Sequence, residues 1–324
     1  MVAASANGET NLMSATQFRL VTRSDFDGLV CGVLLKELNL IDDIKFVHPK
    51  DMQDGKIPIS ARDITTNLPY VPACHLAFDH HSSELERLKP PQPANYIIDP
   101  HAASAARVVY RYFGGEQRFP AISADIMEAV DKADAAQFTR EDILAPQGWT
   151  LLNFLMDSRT GLGRFRDFRI SNYDLMMKLI DCCRDHTVEQ ILALQDVKER
   201  VDLYLKHQPQ FEEQLRRCAR VHKDLVVLEL RREDVIYAGN RFMIYAMFPQ
   251  CRVSMHVLWG VKQQNTVFAI GKSILDRTSP VDVGALCLEY GSGGHAAAGT
   301  CQLDNARAED VMAELIKKLA RPAQ

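Results

Sequence analysis

The 324-residue chain has no apolar run approaching the roughly 18 residues that a membrane-spanning helix requires. It also lacks a basic start followed by an apolar stretch. The opening residues, MVAASANGETNLMSATQ, are small and polar and read as a loose tail, not a secretory signal. A basic surplus is missing too: 38 Lys and Arg face 42 Asp and Glu, a formal charge of −4. That balance argues against a global field for membranes or long duplex nucleic acid. Tryptophan is scarce, with only Trp149 and Trp259 available for base stacking. The eight cysteines, at 31, 74, 182, 183, 218, 251, 287 and 301, form no CxxC pair. Thiolate zinc sites need ligands spaced to reach one ion, so reduced, structural cysteines in a cytoplasmic protein are expected instead.

What is present is an alternation of short apolar runs and helical periodicities. Strands are expected at Phe18–Thr22, Ile44–Val47, Ile57–Ile64 (ending near Asp63), His75–Phe78 and Tyr96–Ile98. Helices are expected over Leu29–Leu40, from about Ala102 to the stop at Gly114-Gly115, and over Ile122–Val130. Such alternation implies parallel strands joined by helical crossovers. Asp196–Arg220 reads as a long charged helix interrupted near Pro209. Strands then return at Leu225–Leu230, Phe242–Met247, Val253–Trp259 and Val267–Ile270, with helices at Val283–Tyr290 and Ala308–Leu319. The expected fold is α/β. A parallel-sheet domain with helices on both faces covers 16–190, a helical connector 191–221, and a smaller α/β domain with a mixed sheet 222–324.

The chemistry-bearing residues fall where strands are expected to end, the place where open α/β sheets bind ligands. Asp25 and Asp27 flank Phe26; on an extended segment both carboxylates point the same way, and their repulsion favours a bound cation. Gly28 permits a tight exit into the next helix. Asp63 is expected at the end of its strand. Asp79-His80-His81 adds a carboxylate and two imidazoles. A mixed Asp and His donor set suits manganese, iron, cobalt or zinc better than calcium or magnesium.

These motifs resemble those of the DHH phosphoesterases, a family that includes RecJ-type exonucleases, oligoribonucleases, cyclic-dinucleotide phosphodiesterases, family II pyrophosphatases and exopolyphosphatases. The matching segments are Thr22-Arg-Ser-Asp-Phe-Asp-Gly28, a single aspartate placed at Asp63, Asp79-His80-His81, and an aspartate at either Asp131 or Asp134. Gly293-Gly294-His295-Ala-Ala-Ala-Gly299 resembles the glycine motif of the DHH-associated substrate-binding domain. The resemblance spans residues 18 to 303.

The resemblance implies one or two manganese ions, with magnesium or cobalt as substitutes. Asp25 would hold the first ion. Asp27, His80 and Asp134 or Asp131 would hold the second, and Asp63 would bridge both. Asp79 would orient or ligate, His81 would contact phosphate, and Asp79, His80 and His81 form the expected catalytic set. Many members carry a metal-binding histidine where Arg23 stands; arginine cannot ligate, so either the first ion has one ligand fewer, or a single ion suffices, or Arg23 contacts phosphate instead. Lys272, Arg277, Gly293, Gly294 and His295 would grip the distal phosphate or nucleotide. The resemblance implies a manganese-dependent hydrolase acting on the end of a phosphate chain or a short nucleotide, and it is compatible with a homodimer. Exopolyphosphatase-like activity is the first expectation. The alternatives are a short-oligonucleotide exonuclease or nucleotide phosphatase, and a catalytically weakened binding sensor. Loss of a bridging ligand would make Asp63→Ala inactive.

Overall fold

The computed structural model describes residues 17–88 and 91–321, so the expected tail lies outside the described residues except for Gln17. The chain divides into two compact units. One comprises the residues to Ser24 with Gly28–Ile122; the other comprises Asp25–Asp27 with the residues from Ser123 onward.

The first unit carries a five-stranded sheet of β1 (Phe18–Arg23), β2 (Ile41–Val47), β3 (Asp63–Thr66), β4 (Leu76–Asp79) and β5 (Tyr96–Ile98). Their order is β2-β1-β3-β4-β5, and every pairing is parallel. The central strands are apolar because both faces are covered: Leu20 and Val21 on β1 are fully buried. The helix after β1 runs from Phe26 to Glu37, three residues earlier at each end than its periodicity implied. Leu29, Val30, Cys31, Val33, Leu34 and Leu35 are all buried, so the helix is apolar around most of its circumference. A one-sided pattern is therefore a poor guide to its limits.

The second unit carries a mixed six-stranded sheet of β6 (Ala219–His222), β7 (Leu225–Glu229), β8 (Val253–Trp259), β9 (Thr266–Lys272), β10 (Gly293–His295) and β11 (Ala298–Leu303). Its order is β10-β11-β9-β8-β7-β6. Only β7 and β8 pair in parallel. One face packs Val253, Met255, Val257, Phe268 and Ile270 against the helices Val283–Leu288 and Ala308–Leu319.

Two expectations are corrected. The run Phe242–Met247 is not a strand: Met243–Met247 is a helix, with Met243, Ile244, Tyr245 and Ala246 buried. A short apolar run without alternation fits either conformation, and burial on all sides removes the period that would decide it. The long helix is also unbroken, running from Gln195 to Cys218 with Pro209 inside. Proline there costs about 3 kcal/mol. Val197, Tyr204 and His207 before it, and Phe211 and Leu215 after it, are buried and hold the two halves in register. No helix of the described residues is long and apolar enough to cross a membrane.

Candidate active site

In the first unit the site is built at the carboxyl edge of the parallel sheet. β4 delivers Asp79 there, 1% exposed. Its Oδ1 accepts from the backbone amides of His80 (2.8 Å) and His81 (3.3 Å) and from His81 Nδ1 (2.7 Å). Its Oδ2 accepts from the Tyr96 hydroxyl at 3.1 Å. Burial, and then the charge of Asp79, push the Tyr96 pKa well above its ordinary value, so the hydroxyl stays a donor. Asp79 is thus occupied as an orienting group. A carboxylate accepts only, so His81 Nδ1 carries a proton. His80 Nδ1 meets the Ala102 carbonyl at 3.2 Å, which likewise assigns the proton to Nδ1 and the lone pair to Nε2. Asp79, His80 and His81 offer ligand atoms within 4.8 Å of one another.

Asp63 is not at this edge. It begins β3 instead of ending a strand, and in the parallel register it faces Arg19 near the start of β1. β3 ends at Thr66, and Asn67 follows it directly, about 13 Å beyond Asp63 at 3.3 Å per residue. Asp63 is 1% exposed and ion-paired to Arg19 Nε at 2.6 Å; its Oδ2 accepts from the Ser60 amide at 2.6 Å and hydroxyl at 3.0 Å. Burial opposes ionisation, but the bonds from Arg19 and Ser60 outweigh it and hold the Asp63 pKa below the usual carboxylate value. Its stabilisation is therefore complete above the unfolded pKa of about 3.9 and lost as pH falls through the lower folded value. The prediction from sequence reverses: Asp63→Ala should cost about 2 kcal/mol of stability, chiefly above pH 4, and spare turnover per folded molecule. Denaturant melts at pH 7 and pH 3, with kcat on the folded fraction, check this.

Asn67 takes the edge position in Asp63's stead. It is 2% exposed, its amide donates to the Phe78 carbonyl at 3.0 Å, and its φ is 55°, a left-handed conformation asparagine tolerates. Beside it the Thr66 hydroxyl donates to the Thr22 hydroxyl at 2.7 Å, joining the ends of β1 and β3. Arg23 closes β1 at the same edge.

In the second unit Asp27 and Asp134 offer carboxylate oxygens within 4.8 Å of each other. Asp27 is 2% exposed; Asp134 ends the helix Ala124–Asp134. Two carboxylates this close repel and are stabilised by a cation. Asp131, a turn earlier, is not part of this grouping. Phe26, between the two aspartates, is buried and stacks on Trp149 at 5.9 Å, and Trp149 Nε1 donates to Asp125 at 2.7 Å. Aromatic packing thus anchors the Asp25–Asp27 segment. Arg277 is directed at the end of the same helix: its Nη2 donates to the carbonyls of Ala135 (3.1 Å) and Ala136 (2.8 Å). That contact caps orphan carbonyls.

The glycine segment is a β-hairpin. Gly293, Gly294 and His295 form the exposed edge strand β10, with Gly294 opposite Gly299. A Cβ on Gly294 would lie 2.4 Å from the Ala298 carbonyl oxygen. Lys272 ends β9, its amide donating to the Ala297 carbonyl at 2.8 Å, so it lies at the hairpin turn.

Asp and His donors, with His80 Nε2 carrying a lone pair, suit a divalent first-row cation. No family model matches the chain, and no curated protein matches it. Among solved structures it is similar to the pGpG-specific phosphodiesterase PggH from Vibrio cholerae, at 58% identity over 94% of this chain and 99% of that one, with a TM-score of 0.82. It also shares its fold with RecJ from Thermus thermophilus in complex with Mn2+, at 16% identity over 95% of this chain and 52% of that one, TM-score 0.60. The same RecJ in complex with Mg2+ matches at 15% identity over 95% and 50%, TM-score 0.50.

Proposed function

The chain belongs to the DHH phosphoesterase family, and from that membership we propose that it hydrolyses the phosphodiester of a short linear dinucleotide of the pGpG kind. The observation that carries this reading is the 58% identity, across 94% of the chain, to a phosphodiesterase specific for pGpG. Polyphosphate ends, the first expectation from sequence, have no comparable support. The reaction adds water across the central P–O bond of pGpG and leaves two molecules of guanosine monophosphate.

We assign a divalent cation, manganese or magnesium, to Asp25, Asp27, Asp134 and His80. When bound it supplies Lewis-acid stabilisation of charge on the phosphoryl oxygens and makes water a better nucleophile. The remaining work falls to the chain's own side chains. Asp79, held by the Tyr96 hydroxyl and two amides, fixes the His81 ring through Nδ1. His81 then turns Nε2 toward the phosphate, where a protonated ring can donate to a non-bridging oxygen. A preset ring needs no reorganisation as charge develops. His295 and the Gly293–Gly294 backbone, on an exposed edge strand, are assigned to the distal nucleotide.

The test is parallel hydrolysis of pGpG, a pentanucleotide and polyphosphate with added manganese, read by chromatography of the products. The expected order places pGpG first by at least tenfold in kcat/KM, about 1.4 kcal/mol of transition-state discrimination. Faster release from polyphosphate, or no turnover of pGpG, would sink the assignment.

A further inference from the structure

The second unit holds a pair of arginines that no motif marks. Asp157, after the helix Gly148–Met156, is shared between them. Its Oδ1 accepts from Arg159 Nε at 2.7 Å and from the Arg159 amide at 2.9 Å; its Oδ2 accepts from Arg241 Nε at 3.2 Å. One carboxylate against two guanidinium groups leaves a positive charge over.

The pair is held by construction. The Gly239 amide donates to the Thr160 carbonyl at 3.0 Å, and the Thr160 hydroxyl donates to the Phe154 carbonyl at 2.6 Å. A Cβ on Gly239 would lie 2.1 Å from the Phe211 ring, so the backbone beside Arg241 sits close against the long helix. Arg241 lies over the Phe242 ring at 4.0 Å.

Both arginines are gripped through Nε alone. Among the described residues, the four Nη amino groups have no hydrogen-bond acceptor from the protein. Yet the side chains remain 51% and 31% accessible. Burial first, and then the charge of Arg159, pull the Arg241 pKa down to about 10. His256, facing Arg241 from β8, is held near 4 by burial and by that charge, so it stays neutral and offers no counter-charge. The charges of Asp25 and Asp134 reach Arg159.

With Asp25 and Asp134 engaged by a cation, their attraction for Arg159 is largely neutralised, and its guanidinium is left to an anion. We infer that Arg159 and Arg241 form a guanidinium fork that binds the non-bridging oxygens of the substrate's reacting phosphate, with Asp157 as the positioning residue. The fork geometry matches phosphate oxygens. It stabilises charge that grows as the P–O bond breaks. The inference rests on the preceding reading of those carboxylates as cation ligands.

Arg159→Gln and Arg241→Gln, with Arg159→Lys and Asp157→Asn beside them, are assayed for pGpG hydrolysis and for pGpG binding by calorimetry in excess EDTA, where turnover is blocked. Each Gln variant should lower kcat/KM by about 10²–10³ and weaken metal-free binding. Arg159→Lys should recover part of the loss, and Asp157→Asn should fall between. Circular dichroism and melting curves confirm folded protein; Arg159 is half exposed, so its variants are expected to fold. Gln variants that bind and turn over pGpG like the wild type overturn the fork and leave the phosphodiesterase reading intact. A wild type that ignores pGpG, but binds pyrophosphate in EDTA through Arg159, overturns the substrate and upholds the fork.

Discussion

His80→Ala is expected to reduce hydrolysis by about a thousandfold or more at saturating substrate. The figure follows from the several kcal/mol that a catalytic cation contributes through charge stabilisation, at 1.36 kcal/mol per decade. The Ala102 carbonyl fixes the ring with Nε2 as the lone-pair nitrogen, so the imidazole is set for ligation before any ion arrives. His80→Ala leaves the Asp79–His81–Tyr96 chain in place. Stability should therefore change little while metal affinity falls. Calorimetric titration of manganese into both proteins separates this from simple unfolding. EDTA should silence the wild type, and added manganese should restore it. Full activity in the chelated enzyme, or in folded His80→Ala, would remove the cation from the mechanism.

Gly28→Ala should be nearly as damaging, by a different route. On propensity alone the change favours the helix Phe26–Glu37 by about 1 kcal/mol. Tertiary contact decides otherwise. A Cβ at residue 28 would lie 2.0 Å from the Arg23 carbonyl oxygen and 2.7 Å from the Thr22 hydroxyl. The nearer obstacle is backbone at the end of β1, an interior strand of the sheet, so the helix start must move. Overpacking of this kind costs about 3 kcal/mol. A domain of this size should then melt roughly 6–12 °C lower, at 2–4 °C per kcal/mol. Asp27 precedes Gly28 directly and shifts with it. A displacement near 1 Å costs about a hundredfold in rate. Calorimetry and pGpG hydrolysis on the same preparation test both effects; an unchanged melt with full activity would show that the turn relaxes freely.

Much of the candidate site could be read from short spans of chain. Asp25-Phe-Asp-Gly28 and Asp79-His80-His81 carry their chemistry within a few residues, and adjacency in sequence keeps those groups together in any fold. The apolar runs that became β1, β4, β5 and β8 were legible for a similar reason, since alternation or burial marks a strand locally. Asp63 shows where this reasoning stops. Which end of β3 carries the chemistry depends on its pairing with β1, set by contacts 44 residues apart such as Arg19 to Asp63. A shift of register changes the facing residue without altering local composition.

What the sequence determined by itself is therefore the donor chemistry and the class of fold: carboxylates and imidazoles beside apolar runs, and strands alternating with helices. What only the tertiary structure decided is which of those groups meet. Asp134 stands near Asp27, Arg277 caps a helix end, and Arg241 reaches Asp157 across 84 residues. The physical reason is range. Propensity and polarity act over a turn or a strand, whereas register and side-chain packing are settled by the whole core at once.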